Sequence, residues 1–163
     1  MNAAPSELGL FAAYIQRVVD GAVAALSGLS DQQVNWSSGG AGANSMYAVA
    51  THLAAMGEFW VLGLVGGAEV VRDRQAEFRA AGAGADVIVR LQDWALACGG
   101  LCQRLEASVL ADDALVPEEY FQSGGFAAGR LSKRECLLHV LEHSALHLGH
   151  LEMMRLAVVR QPV

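Results

Sequence analysis

Leu138-His139-Val140-Leu141-Glu142-His143-Ser144-Ala145-Leu146-His147-Leu148-Gly149-His150 is the stretch on which the reading of this chain turns. It holds four of the five histidines, on a segment with helical apolar periodicity. Histidine is the commonest metal ligand and titrates nearest neutral pH, so this clustering needs a chemical reason. With His139 at 0° on a helical wheel, His150 falls at about 20°, His143 at about 40° and His147 at about 80°. Val140, Leu151 and Met154 share that sector. His143 and His147 therefore stand one turn apart inside an apolar stripe, with His139 and His150 along its edge. Two neutral imidazoles in an apolar seam leave ring nitrogens without partners, and a metal ion supplies the partner. Leu138, Leu141 and Ala145 fall on a second apolar face. A lone bundle helix has no use for it, and it predicts a dimer contact.

The same segment opens with a capping box, Ser132-Lys133-Arg134-Glu135, and runs to about Val159. Upstream, a first helix spans Ser6 to Leu26, with Leu8, Phe11, Ile15, Val19 and Ala22 on one stripe and Gly28 as its stop. Ser30 to Gln33 resembles a second capping box, opening a short turn. Ser37 to Ala43 is a loop, after which Asn44 or Ser45 caps a helix to roughly Leu64, closed by Gly66-Gly67. The charged run from Arg72 to Phe78 reads as a solvated connector. A third long helix follows from Asp86 to about Leu110, with Val87, Leu91, Trp94, Cys98, Leu101, Leu105 and Val109 in register. Asp112 to Arg130, with Pro117 and Gly124-Gly125, is irregular, with a short extended piece at Tyr120-Phe121. No alternating run of strand length competes. The expectation is an all-α protein, one domain over residues 1–163, built as a four-helix bundle with long connecting loops.

The formal net charge of −6 gives no basic stripe for nucleic acid. Apolar residues make up 53% of the chain, enough for a continuous core or an oligomer interface. The N-terminal residues lack the pattern of a signal peptide. The longest uncharged apolar run, Phe59 to Ala68, is about half the length a bilayer requires. A cytoplasmic protein with no membrane partner is expected. Three cysteines on predicted helices argue against a disulfide framework. Cys98 and Cys102, spaced for metal, read better as small buried hydrophobes.

The fifth histidine, His52, shares its stripe with Val49, Met56, Phe59, Trp60 and Gly63, so it faces inward. Alone it would read as a satisfied core residue. Facing helices of a bundle can bring it to His143 and His147, and sites in bundle cores are built this way. Val49 and Met56 would then border the site, with His139 and His150 at its rim or behind its ligands. Glu58 lies about 120° away and is a poor partner. His139-x-x-Glu142-His143 matches the inverzincin peptidase pattern, but the later carboxylate which that chemistry needs has only Glu152 to supply it, and Glu152 points elsewhere. A di-iron carboxylate site fails for want of two Glu-x-x-His motifs. No general acid, general base or ligand-supporting carboxylate can be assigned.

One histidine early in the second long helix, then His143-x-x-x-His147-x-Gly149-His150 in the last, resembles the DinB/YfiT-like superfamily of bacterial four-helix bundles. Asn44-Ser45, Leu53, Glu58-Phe59-Trp60, His139-Val140, Leu151 and Trp36 extend the likeness over essentially the whole chain. The resemblance implies an up-down-down-up bundle, with the connector from Gly66 to Asp86 as the crossover. It implies a homodimer and a divalent metal, zinc or nickel, on His52, His143 and His147. His150 stands where glutamine is commoner. It further implies a transferase or isomerase using a low-molecular-weight thiol such as mycothiol or bacillithiol, whose thiolate attacks a small electrophilic substrate. The same open site would also suit a hydrolase, or a non-catalytic metal or small-ligand binding stress protein.

Overall fold

Side-chain caps fix where the helices begin. A computed structural model describes residues 5–39, 42–120 and 130–160. Ser6 accepts from the Gly9 N–H and starts α1, Glu7–Leu26. Ser30 and Gln33 form a reciprocal capping box on α2, Asp31–Val34. Ser45 caps α3, Met46–Gly57, through the Ala48 N–H. Asp73 caps a short α4, Arg74–Glu77, within the connector. The third long helix, α5, covers Gly84–Arg104, and the last, α6, covers Lys133–Val158 behind the Ser132/Glu135 capping box. Such caps contribute about 1 kcal/mol each, by satisfying amides that the first turn leaves open.

Three local expectations change. α5 starts at Gly84, where Asp31 Oδ1 accepts the Gly84 N–H at 2.8 Å. It ends at Arg104, because Leu105 is already extended; a 3₁₀ turn, Ala107–Ala111, then delivers Leu110 to the core. Residues 118–120 form a helical turn, not an extended piece, while Phe121 and Gly124-Gly125 lie outside the described residues. The strands are only two residues long: β1, Asp113–Ala114, pairs antiparallel with β2, Leu131–Ser132. That clip holds Ser132 at the start of α6.

The axis of α3 continues through a π-helical segment, Glu58–Val65, whose wider turns end with the Gly66 N–H bonded to the Val61 carbonyl five residues back. Gly57, at the junction, lets Trp94 of α5 lie against the backbone. A Cβ there would sit 2.0 Å from the indole ring. Gly67 then takes a φ of +76°, which turns the chain out of the helix.

The protein is all-α in character. α1 packs chiefly on α5 and α6, and α3 packs on the same two, so α1 and α3 lie across the core from each other. Ile15, Val19, Leu53, Met56, Leu91, Trp94, Leu137 and Leu151 fill the space between them. Glu7–Leu26 and Met46–Val65 are each long and apolar enough to cross a membrane. Met46–Val65 is mostly buried by its neighbours, as a core helix is. On α1, Leu8, Phe11, Ile15, Val19 and Ala22 form one buried stripe, while Leu10, Tyr14, Arg17 and Asp20 are exposed.

Candidate metal centre

His52 of α3 and His143 and His147 of α6 meet where these helices pack. His143 Nε2 lies 3.1 Å from His52 Nε2 and 3.0 Å from His147 Nε2. All three donor atoms lie within 4.8 Å of one another, and among the described residues no fourth histidine, cysteine or carboxylate joins the group. His52 is buried and the other two are half-buried.

The outer nitrogen of His52 shows how its ring is set. Glu77 Oε2 lies 2.7 Å from His52 Nδ1. An ionised carboxylate only accepts, so Nδ1 carries the proton and Nε2 presents its lone pair to the other two rings. Glu77 is itself gripped by Arg72, whose Nε donates to Oε1 at 2.7 Å and whose Nη2 donates to Oε2 at 3.0 Å. This pair is buried on both sides. Burial alone would raise the Glu77 carboxyl, but the hydrogen bonds from His52 and Arg72, with the Arg72 charge, hold it below its ordinary value. Phe78, next in the chain, stacks on the His52 ring at 4.5 Å between centroids. The connector expected to be solvated thus supplies the orienting carboxylate that the sequence left unassigned. The correction has a simple cause: α4 folds the segment back over α3, so Glu77 is buried although Arg74, Gln75 and Ala76 before it are exposed.

His143 is held down to about 4 and His147 to about 3, first by desolvation and then by neighbouring histidines. Arg72 and Arg74 add to the effect at His143. Both rings are therefore neutral near pH 7. Neutral rings in this packing cannot satisfy one another. His143 Nε2 has at most one proton, and it faces two nitrogens, one of which is known to be a lone pair. A cation at the centre satisfies all three. Zinc bonds of 2.0–2.1 Å in tetrahedral array separate ligand nitrogens by about 3.3 Å, close to the two contacts His143 makes, with His52 and His147 within 4.8 Å of each other. The three residues could hold a divalent metal.

One cavity reaches the triad, and two more lie near it. A small one, about 30 Å³, is bordered by His52, His143, Met56, Trp60 and His139, with Arg72, Arg74 and Tyr120 on its outer side. His139 packs on Trp60 at 4.5 Å, and desolvation lowers its pKa. Arg72, Arg74 and Tyr120 also border a wider cavity of about 670 Å³. Val49 and His150 border a separate apolar cavity of about 390 Å³ with Trp36, Met153 and Met154. His150 Nδ1 lies 3.4 Å from His147 Nδ1, so it stands behind that ring and not beside His139. Met56 and Val49 thus border different cavities. Glu58 points outward to Arg90, at 2.7 Å, as its wheel position required.

The sequence matches the family model of mycothiol-S-transferases over residues 10–158. The chain belongs to this family. Within the DinB/YfiT-like mycothiol-S-transferases, the match spans α1 to the end of α6 and takes in all five histidines. No curated protein matches the chain.

Proposed function

We propose that the protein is a metal-dependent thiol S-transferase. On this reading His52, His143 and His147 bind zinc or nickel, and a low-molecular-weight thiol of the mycothiol type attacks a small electrophile. The observation that carries it is the convergence of three Nε2 atoms with no fourth protein donor among the described residues, in a chain of this family. Three neutral nitrogens with an open position are the donor set of catalytic zinc, not structural zinc. A divalent metal there would supply the positive charge that keeps a thiol ionised near neutral pH.

The chain's own residues do the rest. Arg72 fixes Glu77, and Glu77 fixes the tautomer and ring plane of His52. Desolvation keeps His143 and His147 neutral and ready to donate lone pairs. Met56, Trp60 and Tyr120 narrow the small cavity and limit water beside the triad. The wider cavity beyond Arg72 and Tyr120 offers the volume a substrate needs. We read the four long helices as an up-down-down-up bundle forming one domain, with residues 66–83 as the crossover. The outer face of α6 exposes Leu138, Leu146, Met153 and Leu156, which suits a homodimer contact. The cytoplasm, where such thiols are kept reduced, is the matching compartment.

The test is metal analysis of protein purified without chelator, followed by turnover of a model electrophile with and without mycothiol. About one metal per chain and a thiol-dependent rate are expected. A rate indifferent to the thiol would replace this reading with hydrolysis, and absence of metal would remove both.

A further inference from the structure

We infer that Arg74 is a specificity-determining residue, and that the electrophile used at this site is a small molecule carrying a carboxylate or similar anionic group. The inference rests on the proposed transferase reading and narrows its substrate class. Among the described residues, the charged side chains bordering the small cavity at the triad are Arg72 and Arg74, with no carboxylate among them. Arg72 is committed: both arms of its fork hold Glu77, and its side chain is buried. Arg74 is not. Its guanidinium makes no hydrogen bond or ion pair among the described residues, and it rests over the Phe78 ring at 5.7 Å.

Phe78 is the ring that also stacks on His52. One aromatic ring therefore touches both an uncommitted planar cation and a ligand of the proposed metal. Arg74 borders both the small cavity and the wider one, so it stands where a substrate passes from one to the other. Asp73 and Glu119 border the wider cavity but not the small one, and Asp73 Oδ1 is occupied by the Gln75 and Ala76 amides. Guanidinium matches a carboxylate with two parallel hydrogen bonds, and packing on an aromatic face pre-organises it for that purpose.

The test uses chloroacetate and chloroacetamide, electrophiles of nearly the same shape of which only the first is charged, and compares their ratio between variants so that intrinsic reactivity cancels. In each, the thiolate sulfur forms the new S–C bond, chloride leaves with its electron pair, and the thiol proton passes to solvent. The wild-type preference for chloroacetate, as a ratio of kcat/KM values, should fall about tenfold or more in Arg74→Gln, the loss expected of a charge-assisted pair. Arg74→Lys should restore part of it. Binding of benzoate against benzamide, followed by ligand-observed NMR, gives a readout that needs no turnover. Benzoate should bind the wild type and lose affinity in Arg74→Gln. An unchanged ratio, or benzoate binding indifferent to Arg74, overturns the inference. If neither chloro compound is turned over but benzoate binding still depends on Arg74, the transferase reading falls and the anion site stands.

Discussion

Two pairs of metal-capable side chains sit at the same spacing on two helices of this molecule. Cys98 and Cys102 lie one turn apart on the inner face of α5, and His143 and His147 do the same on α6. Only the second pair becomes a candidate site. Both thiols are buried, and the hydrogen bond they share pushes Cys98 up, with desolvation adding to it, and draws Cys102 down, so the two hold each other. Buried and bonded to each other, they pack as small hydrophobes. No donor from a third position approaches it closely enough to complete a group, among the described residues. The histidine pair differs in two respects: His52 arrives from α3, and Glu77 sits behind His52. Spacing on one helix makes half of a site. A second helix and a supporting carboxylate make the rest.

The largest effect should come from breaking the favoured pair. His147→Ala is expected to reduce metal from about one equivalent to near none, because two donors do not hold a catalytic-type site. The double variant Cys98→Ala/Cys102→Ala should keep its metal. Elemental analysis decides, and metal lost from the cysteine variant would invert the comparison. Next is the supporting shell. Glu77→Gln should weaken metal affinity by ~10–100-fold, in line with other outer-shell partners, as read by competition with a chelating dye. Unchanged affinity would reduce Glu77 to a bridge between α3 and the connector.

A third effect separates the pairs by pH. His143 and His147 titrate lower in the folded, metal-free protein than in the unfolded chain, where histidine lies near 6.5. The unfolded state therefore binds more protons in that window, so stability is fully present above about pH 6.5 and falls as pH drops toward the folded values of about 4 and 3. Urea midpoints of the apo protein should decline from pH 6.5 to 4, and His143→Gln/His147→Gln should flatten that slope. A wild-type midpoint constant over the range would show that the rings are not buried neutral. The smallest effect belongs to Cys98→Ala, a loss of about 1 kcal/mol from a smaller side chain in a packed position, measured by denaturant melts. A cost several times larger would mean that the thiols do more than fill space.

The helices and the triad were legible because their signals are periodic. Caps, the inward stripe of His52 and the one-turn spacing of His143 and His147 all survive projection onto a wheel. Height along the axis does not survive it. His139 and His150 fall at nearly the same angle, yet eleven residues set them about 16 Å apart. They consequently border different cavities. Glu77, Arg72 and Phe78 were illegible for another reason. The connector has one helical turn and no repeating face, so nothing in its sequence distinguishes a buried glutamate from exposed ones such as Glu69. An Asp73 cap before Glu77 was the available hint, and it marks a turn, not what the turn covers.

The chain of hydrogen bonds from Arg72 through Glu77 to His52 ties the connector to the candidate metal site, and linkage makes that tie reciprocal. Whatever favours the ordered connector raises metal affinity by the same factor that metal binding raises the connector's order. A connector ordered only part of the time would lower the apparent affinity by that fraction. A substrate that engages residues 72–78 would then tighten the grip on the metal as it binds, and its departure would loosen it.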